Sequence, residues 1–147
     1  MAASAWIVHD DIKAHVLNKE IDLEGDDIYC SLFLTGTNAH TSSVVLLASA
    51  NSPAPTQFDY APFLLTGKAV TTNSTVTKFD CADVAWTANG GDIAGAVAVL
   101  WDDSATVVVD PIICSSLLDD PGGANITATD TNDFTIAMNA GGVFTLT

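Results

Sequence analysis

A chain of 147 residues that is 48% hydrophobic and 15% charged has the size and apolar content of one folded domain, which excludes a disordered polymer. Its 4 basic residues against 18 acidic ones leave a net charge of −14. With only Lys13, Lys19, Lys68 and Lys78 and no arginine, it cannot assemble the basic clusters that grip nucleic acid or an anionic membrane surface.

The predicted elements begin with a helix over about residues 8–18. Val8, Ile12 and Val16 recur at every fourth position, with Leu17 beside the last, which makes one apolar stripe. Asp10 and Asp11 fall in its predicted first turn and Lys19 near its end, as the helix dipole favours. The opening Met1–Asp11 offers neither a basic region nor a long apolar stretch, so a secretory leader is not expected.

From Ile28 the period changes to two. Ile28, Cys30, Leu32 and Leu34 face one way, and Tyr29, Ser31 and Phe33 the other. Ser43–Ala50 fits a short strand or a helical turn, and Asn51–Tyr60, with Pro53 and Pro55, reads as a loop. Further strands are predicted at Phe63–Thr71, Thr75–Phe79, Val84–Thr87, Ile93–Trp101 and Thr106–Cys114. Ile126–Thr129, Phe134–Met138 and Val143–Leu146 complete the set. Turn clusters at Asn89–Asp92, Trp101–Ser104, Asp119–Gly123 and Asn139–Gly142 punctuate them.

Many short strands with one helix and no βαβ alternation predict a mainly β domain spanning residues 1–147. The expected form is an antiparallel β-sandwich or small barrel of about seven to nine strands with one short N-terminal helix. Ile93–Trp101 is apolar on both faces, so both must be covered, by the chain's own layers or by another copy. It is also far shorter than the roughly 20 residues of a membrane span.

The search for chemistry returns no catalytic, cofactor-binding or metal site. His9 and His15 are six apart, on different faces of a helix, and with His40 are expected to be solvated or locally hydrogen-bonded. Cys30, Cys81 and Cys114 are odd in number and lie in β-like segments, so they read as buried reduced thiols. No strained serine elbow and no phosphate loop occurs. The acidic runs Glu20–Asp27 and Asp130–Asp133 could each give calcium two or three oxygens, but neither fits the spacing of an EF-hand loop. Solvated acidic turns are the expectation there. Asn73-Ser74-Thr75 and Asn125-Ile126-Thr127 match the glycosylation pattern, and with no leader expected the matches are expected to be coincidental.

Several segments together carry a resemblance. They are Ile21–Glu24 leading into Asp27–Leu32, then Phe79–Trp86, Ala96–Asp103, Asp110–Cys114, Phe134–Met138 and Gly142–Leu146. In this order the chain resembles small virion structural proteins of tailed phages, including capsid decoration (cement) proteins. The resemblance implies a non-enzymatic protein without cofactors, made in the host cytoplasm and placed on the outer capsid surface. It implies a homo-oligomer whose partner is the major capsid protein. A phage tail or adaptor component is the nearest variant. A soluble carbohydrate-binding β-sandwich is the alternative of another class, and would need an exposed aromatic platform.

Overall fold

The computed structural model describes residues 4–139 and 141–146. The chain is mainly β, with antiparallel sheets and one short α-helix. Ile7–Val8 (β1) precedes the helix Ile12–Leu17 (α1), and Ile28–Phe33 (β2) follows. After a single 3-10 turn at Leu47–Ser49 come Phe63–Leu64 (β3), Ala69–Asn73 (β4), Val76–Asp80 (β5) and Val84–Thr87 (β6). Ile93–Gly95 (β7), Val97–Asp102 (β8) and Ile112–Leu117 (β9) form the middle of the chain. Ile126–Ala128 (β10), Asp133–Ile136 (β11) and Phe144–Leu146 (β12) close it.

A five-stranded sheet in the order β1-β9-β8-β2-β3 is the centre of the fold. Around it lie a three-stranded sheet, β12-β5-β4, and two ribbons, β10-β7 and β11-β6. The alternation read from the sequence decides how these meet. Ile28, Cys30, Leu32, Ala98 and Leu100 point from β2 and β8 into one core with Phe79, Val84, Trp86, Ile93, Phe134 and Phe144. That arrangement is sandwich-like. Val97, Val99 and Trp101 point the other way and form a second apolar cluster with Phe33, Ala39 and Ile112. The edge strands β1 and β3 are two residues each, which leaves little unpaired backbone to recruit another chain.

The second face is covered by residues 38–50, a segment with one 3-10 turn, and not by an α-helix or a second sheet. Val44, Leu47 and Ala50 pack onto it. Backbone bonds hold this cover: Asp10 N–H donates to Ser42 O, Ile112 N–H to Val45 O and Leu47 N–H to Asp110 O, at 2.9 Å each. Every residue of β8 is therefore buried within a single chain. The two-faced apolar strand gives no reason of its own for a second copy.

Three expectations need correction. The helix predicted over about residues 8–18 is limited to Ile12–Leu17, because Ile7 and Val8 pair with Ser115 and Cys114 of β9. Asp11 turns the chain between strand and helix at φ 70, so neither aspartate lies in the first helical turn. A six-residue helix has little intrinsic stability, and its sheet-paired neighbour and buried Ile12 hold it in place.

The strands number twelve among the described residues, more than the seven to nine expected. Ile93–Trp101 divides at Ala96, whose N–H donates to Phe33 O (2.7 Å) while its carbonyl accepts from Leu118 N–H (2.9 Å). Its halves β7 and β8 pair with different strands. Phe63–Thr71 likewise divides around Gly67, which turns at φ 62.

The third correction is the segment Thr106–Asp110. Three consecutive valines predict a strand, yet the chain there leaves the sheet and β9 begins only at Ile112.

Candidate functional site

The sequence predicts histidines that are solvated or locally hydrogen-bonded. His15 fits, with Nδ1 2.5 Å from Glu20 Oε2. His9 and His40 do not, because the sheet brings both to Ser115. His9 follows β1, Ser115 lies in the middle of β9, and His40 sits in the segment that covers the second face. His9 Nε2 is 2.8 Å from Ser115 Oγ, and His40 Nδ1 is 3.2 Å from the same oxygen. His9 Nδ1 is 2.6 Å from Val44 O.

One proton assignment satisfies the whole chain of contacts. His9 Nδ1–H donates to Val44 O, Ser115 Oγ–H donates to His9 Nε2, and His40 Nδ1–H donates to Ser115 Oγ. Both imidazoles are neutral in that arrangement. Burial pulls His9 below the usual imidazole range, Val44 O opposes this, His40 pulls it further down and Asp10 pushes it up. Burial also lowers His40, against the nearby Asp120.

A serine between two imidazoles has the composition of an activated nucleophile. Its position forbids that role as it stands. Ser115 is fully buried and His9 nearly so, and a nucleophile must reach its substrate. The network instead ties β1, β9 and the 38–50 cover together. The thiols are equally enclosed: burial pushes Cys81 up to about 12, and raises Cys30 and Cys114 too. Thiolate chemistry is disfavoured at all three.

Carboxylates of both acidic runs already accept hydrogen bonds from the protein itself. Asp22 Oδ1 accepts from Glu24 and Gly25 N–H (3.1 Å each), and Glu24 Oε1 accepts from Val70 N–H (3.1 Å). Asp130 Oδ1 accepts from Gly90 N–H (2.7 Å), and Asp133 Oδ1 from Thr87 Oγ1–H (2.6 Å). Among the described residues no three acidic, histidine or cysteine side chains converge to hold a metal ion. Asn73 and Asn125 are both exposed.

Two surface features remain. An open groove of about 650 Å³ runs between β10 and β11, lined by Ile126, Ala128, Phe134 and Ile136 with threonines along its rim. The other is the segment that leaves the sheet between β8 and β9. Val107 is 65% exposed and Val109 74%, an unusual position for two β-branched apolar residues beside the acidic Asp103 and Asp110. Of the three tryptophans, Trp6 is half-buried against the main core, and the other two form no exposed platform. Trp86 is buried with its Nε1–H donating to Ala61 O (2.7 Å), and Trp101 is buried with its Nε1–H donating to Ser31 Oγ (2.8 Å).

No described helix is long and apolar enough to cross a membrane. No protein-family model matches the chain, and no curated protein or solved structure matches it either.

Proposed function

We propose that this chain is a non-enzymatic virion structural protein, a decoration protein that docks on the outer capsid surface of a tailed phage. The observation that carries the docking part is the Val107–Val109 segment. It presents apolar side chains at the end of a rigid β core, where they contribute nothing to that core. Burying two valines against a partner is favourable by roughly 1.5–3 kcal/mol each. Asp103 and Asp110 beside them, in a chain of net charge −14, favour a partner surface with basic groups around an apolar hollow. The capsid assignment itself rests on the resemblance of the segments from Ile21 to Leu146 to cement proteins.

The major capsid protein is the proposed partner. Several copies act together because a shell repeats the docking site, while the internal cover of β8 removes the apolar-strand argument for a dimer. The carbohydrate-binding alternative is weakened by the buried indoles of Trp86 and Trp101. The deciding experiment is sedimentation of purified capsids with added protein. Co-sedimentation with intact heads supports the assignment, and recovery only with isolated tails, or with neither, overturns it.

A further inference from the structure

The last residue of β8, Asp102, is a carboxyl group with no access to solvent. Its Oδ1 accepts two bonds from Ser104, from the backbone N–H and from Oγ–H, both at 2.8 Å. Its Oδ2 is buried and has no hydrogen-bond donor. A buried carboxylate oxygen left in that state is strongly unfavourable.

The group facing it is a second carboxyl. Asp26 acts on Asp102 through its charge and through a side-chain hydrogen bond, and both favour the protonated form of Asp102. The backbone fixes this approach independently of either side chain. Asp27 N–H donates to Ser104 Oγ (2.9 Å) and Asp103 N–H donates to Asp27 O (3.0 Å). Ile28, two residues after Asp26, pairs with Asp102 in the sheet. Asp26 is held from its other side, since its Oδ2 accepts from Asp22 N–H (2.6 Å).

The surrounding charges do not neutralise the pair. The Lys68 ammonium donates to the backbone carbonyl of Asp26 and not to either carboxyl. Asp27 and Asp103, from the two adjoining segments, are exposed and add negative charge. On the third side the Asp102 N–H donates to Pro111 O (3.1 Å). Two carboxylates in contact cannot both stay ionised without a cation or a proton between them. No third metal-binding side chain joins them among the described residues, so a proton fits the donor set better than a metal.

We infer that Asp102 and Asp26 share one proton, Asp102 Oδ2–H donating to the Asp26 carboxylate, and that this bond clasps the acidic turn 20–27 to the start of the 104–110 segment. Loss of the proton turns an attraction into a repulsion between the buried Asp102 and the half-buried Asp26 and loosens the clasp. The sign follows from the same geometry. Burial and Asp26 both favour the protonated form of Asp102, and the two Ser104 bonds oppose them. The folded chain therefore binds more protons here than the unfolded chain does. The clasp's contribution is complete below the ordinary aspartate value of 3.8 and is lost as pH rises through the raised one. The inference is independent of the docking assignment, because its test reads titration and melting only.

The test compares the full chain with Asp102→Asn, whose amide offers Ser104 the same acceptor and Asp26 a permanent donor. Carbon-13 NMR of the aspartate side chains should show Asp102 titrating above the ordinary range. Asp102→Asn should melt at least as high as the parent at pH 8, and the difference in Tm between variant and parent should shift in the variant's favour from pH 4 to pH 8, whatever the histidines add to both. Ordinary titration of Asp102 would overturn the shared proton. So would an Asp102→Asn variant that melts well below the parent at pH 8.

Discussion

The indole N–H of Trp101 donates to the Ser31 hydroxyl at 2.8 Å, joining β8 to β2 across 70 residues of sequence. The same ring stacks on Tyr29 with centroids 5.4 Å apart. Trp86 is built into the opposite core in the same manner, in edge contacts with Tyr60, Phe63 and Phe134. Each tryptophan thus combines large apolar burial with a satisfied polar end. Replacing either with Ala should destabilise the fold by about 3–5 kcal/mol, read as a lower urea midpoint with little change in slope. An unchanged midpoint would mean that the indole is dispensable to the core.

The histidine network predicts an acid-side loss of stability. His9 and His40 both titrate below the usual 6.5 in the folded chain, chiefly through burial. The unfolded chain then binds more protons as pH falls past 6.5, so stability is complete above that value and declines below it, toward the lowered folded values. A melt series from pH 8 to pH 5 should show the decline, and His40→Gln should reduce it. Ser115→Ala removes the bridging hydroxyl and leaves His9 Nε2 without its donor, at a cost of about 1–3 kcal/mol. Equal pH slopes in all three proteins would contradict the network.

A close approach inside the sheet gives a packing prediction. A Cβ at Gly95 would lie 3.1–3.3 Å from the Leu32 side chain, which is fully buried. With its neighbour this close and fully buried, Gly95→Ala should overpack the core and cost about 1–3 kcal/mol. A variant as stable as the parent would show that β2 and β7 can separate there.

The elements legible in the sequence are those whose pattern is local. The period of two from Ile28 to Phe33 predicts both the strand and its facing, and Val84–Thr87 appears with the predicted bounds. Val8 and Thr106–Asp110 depart from the local pattern because their state depends on distant partners. The first has a pairing strand more than 100 residues away, and the second has none despite its β-branched residues. The polar clusters were illegible for the same reason. His9 and Ser115 are 106 positions apart, and no spacing rule joins them. Asp102 reads as one more residue of an acidic turn until the sheet register buries it opposite Ile28, two residues from Asp26.

The final prediction concerns Val107 and Val109. Both side chains are mostly in solvent, so changing them should leave the fold almost untouched, within about 0.5 kcal/mol. A partner that buries them would respond very differently. The double variant Val107→Asp, Val109→Asp adds two charges where the proposed contact is dry, and should abolish attachment to capsids while melting like the parent. Bound parent protein should raise the temperature at which capsids rupture, since a ligand that binds only the assembled shell stabilises it by mass action. If acidic side chains guide the docking, that protection should weaken as salt rises from 0.05 to 0.5 M, values chosen to span a Debye length shrinking from above to below about 10 Å. Loss of protection with the double variant at unchanged melting temperature would locate the contact on this segment. Full protection by that variant would remove the segment from the interface and with it the structural ground of the docking proposal.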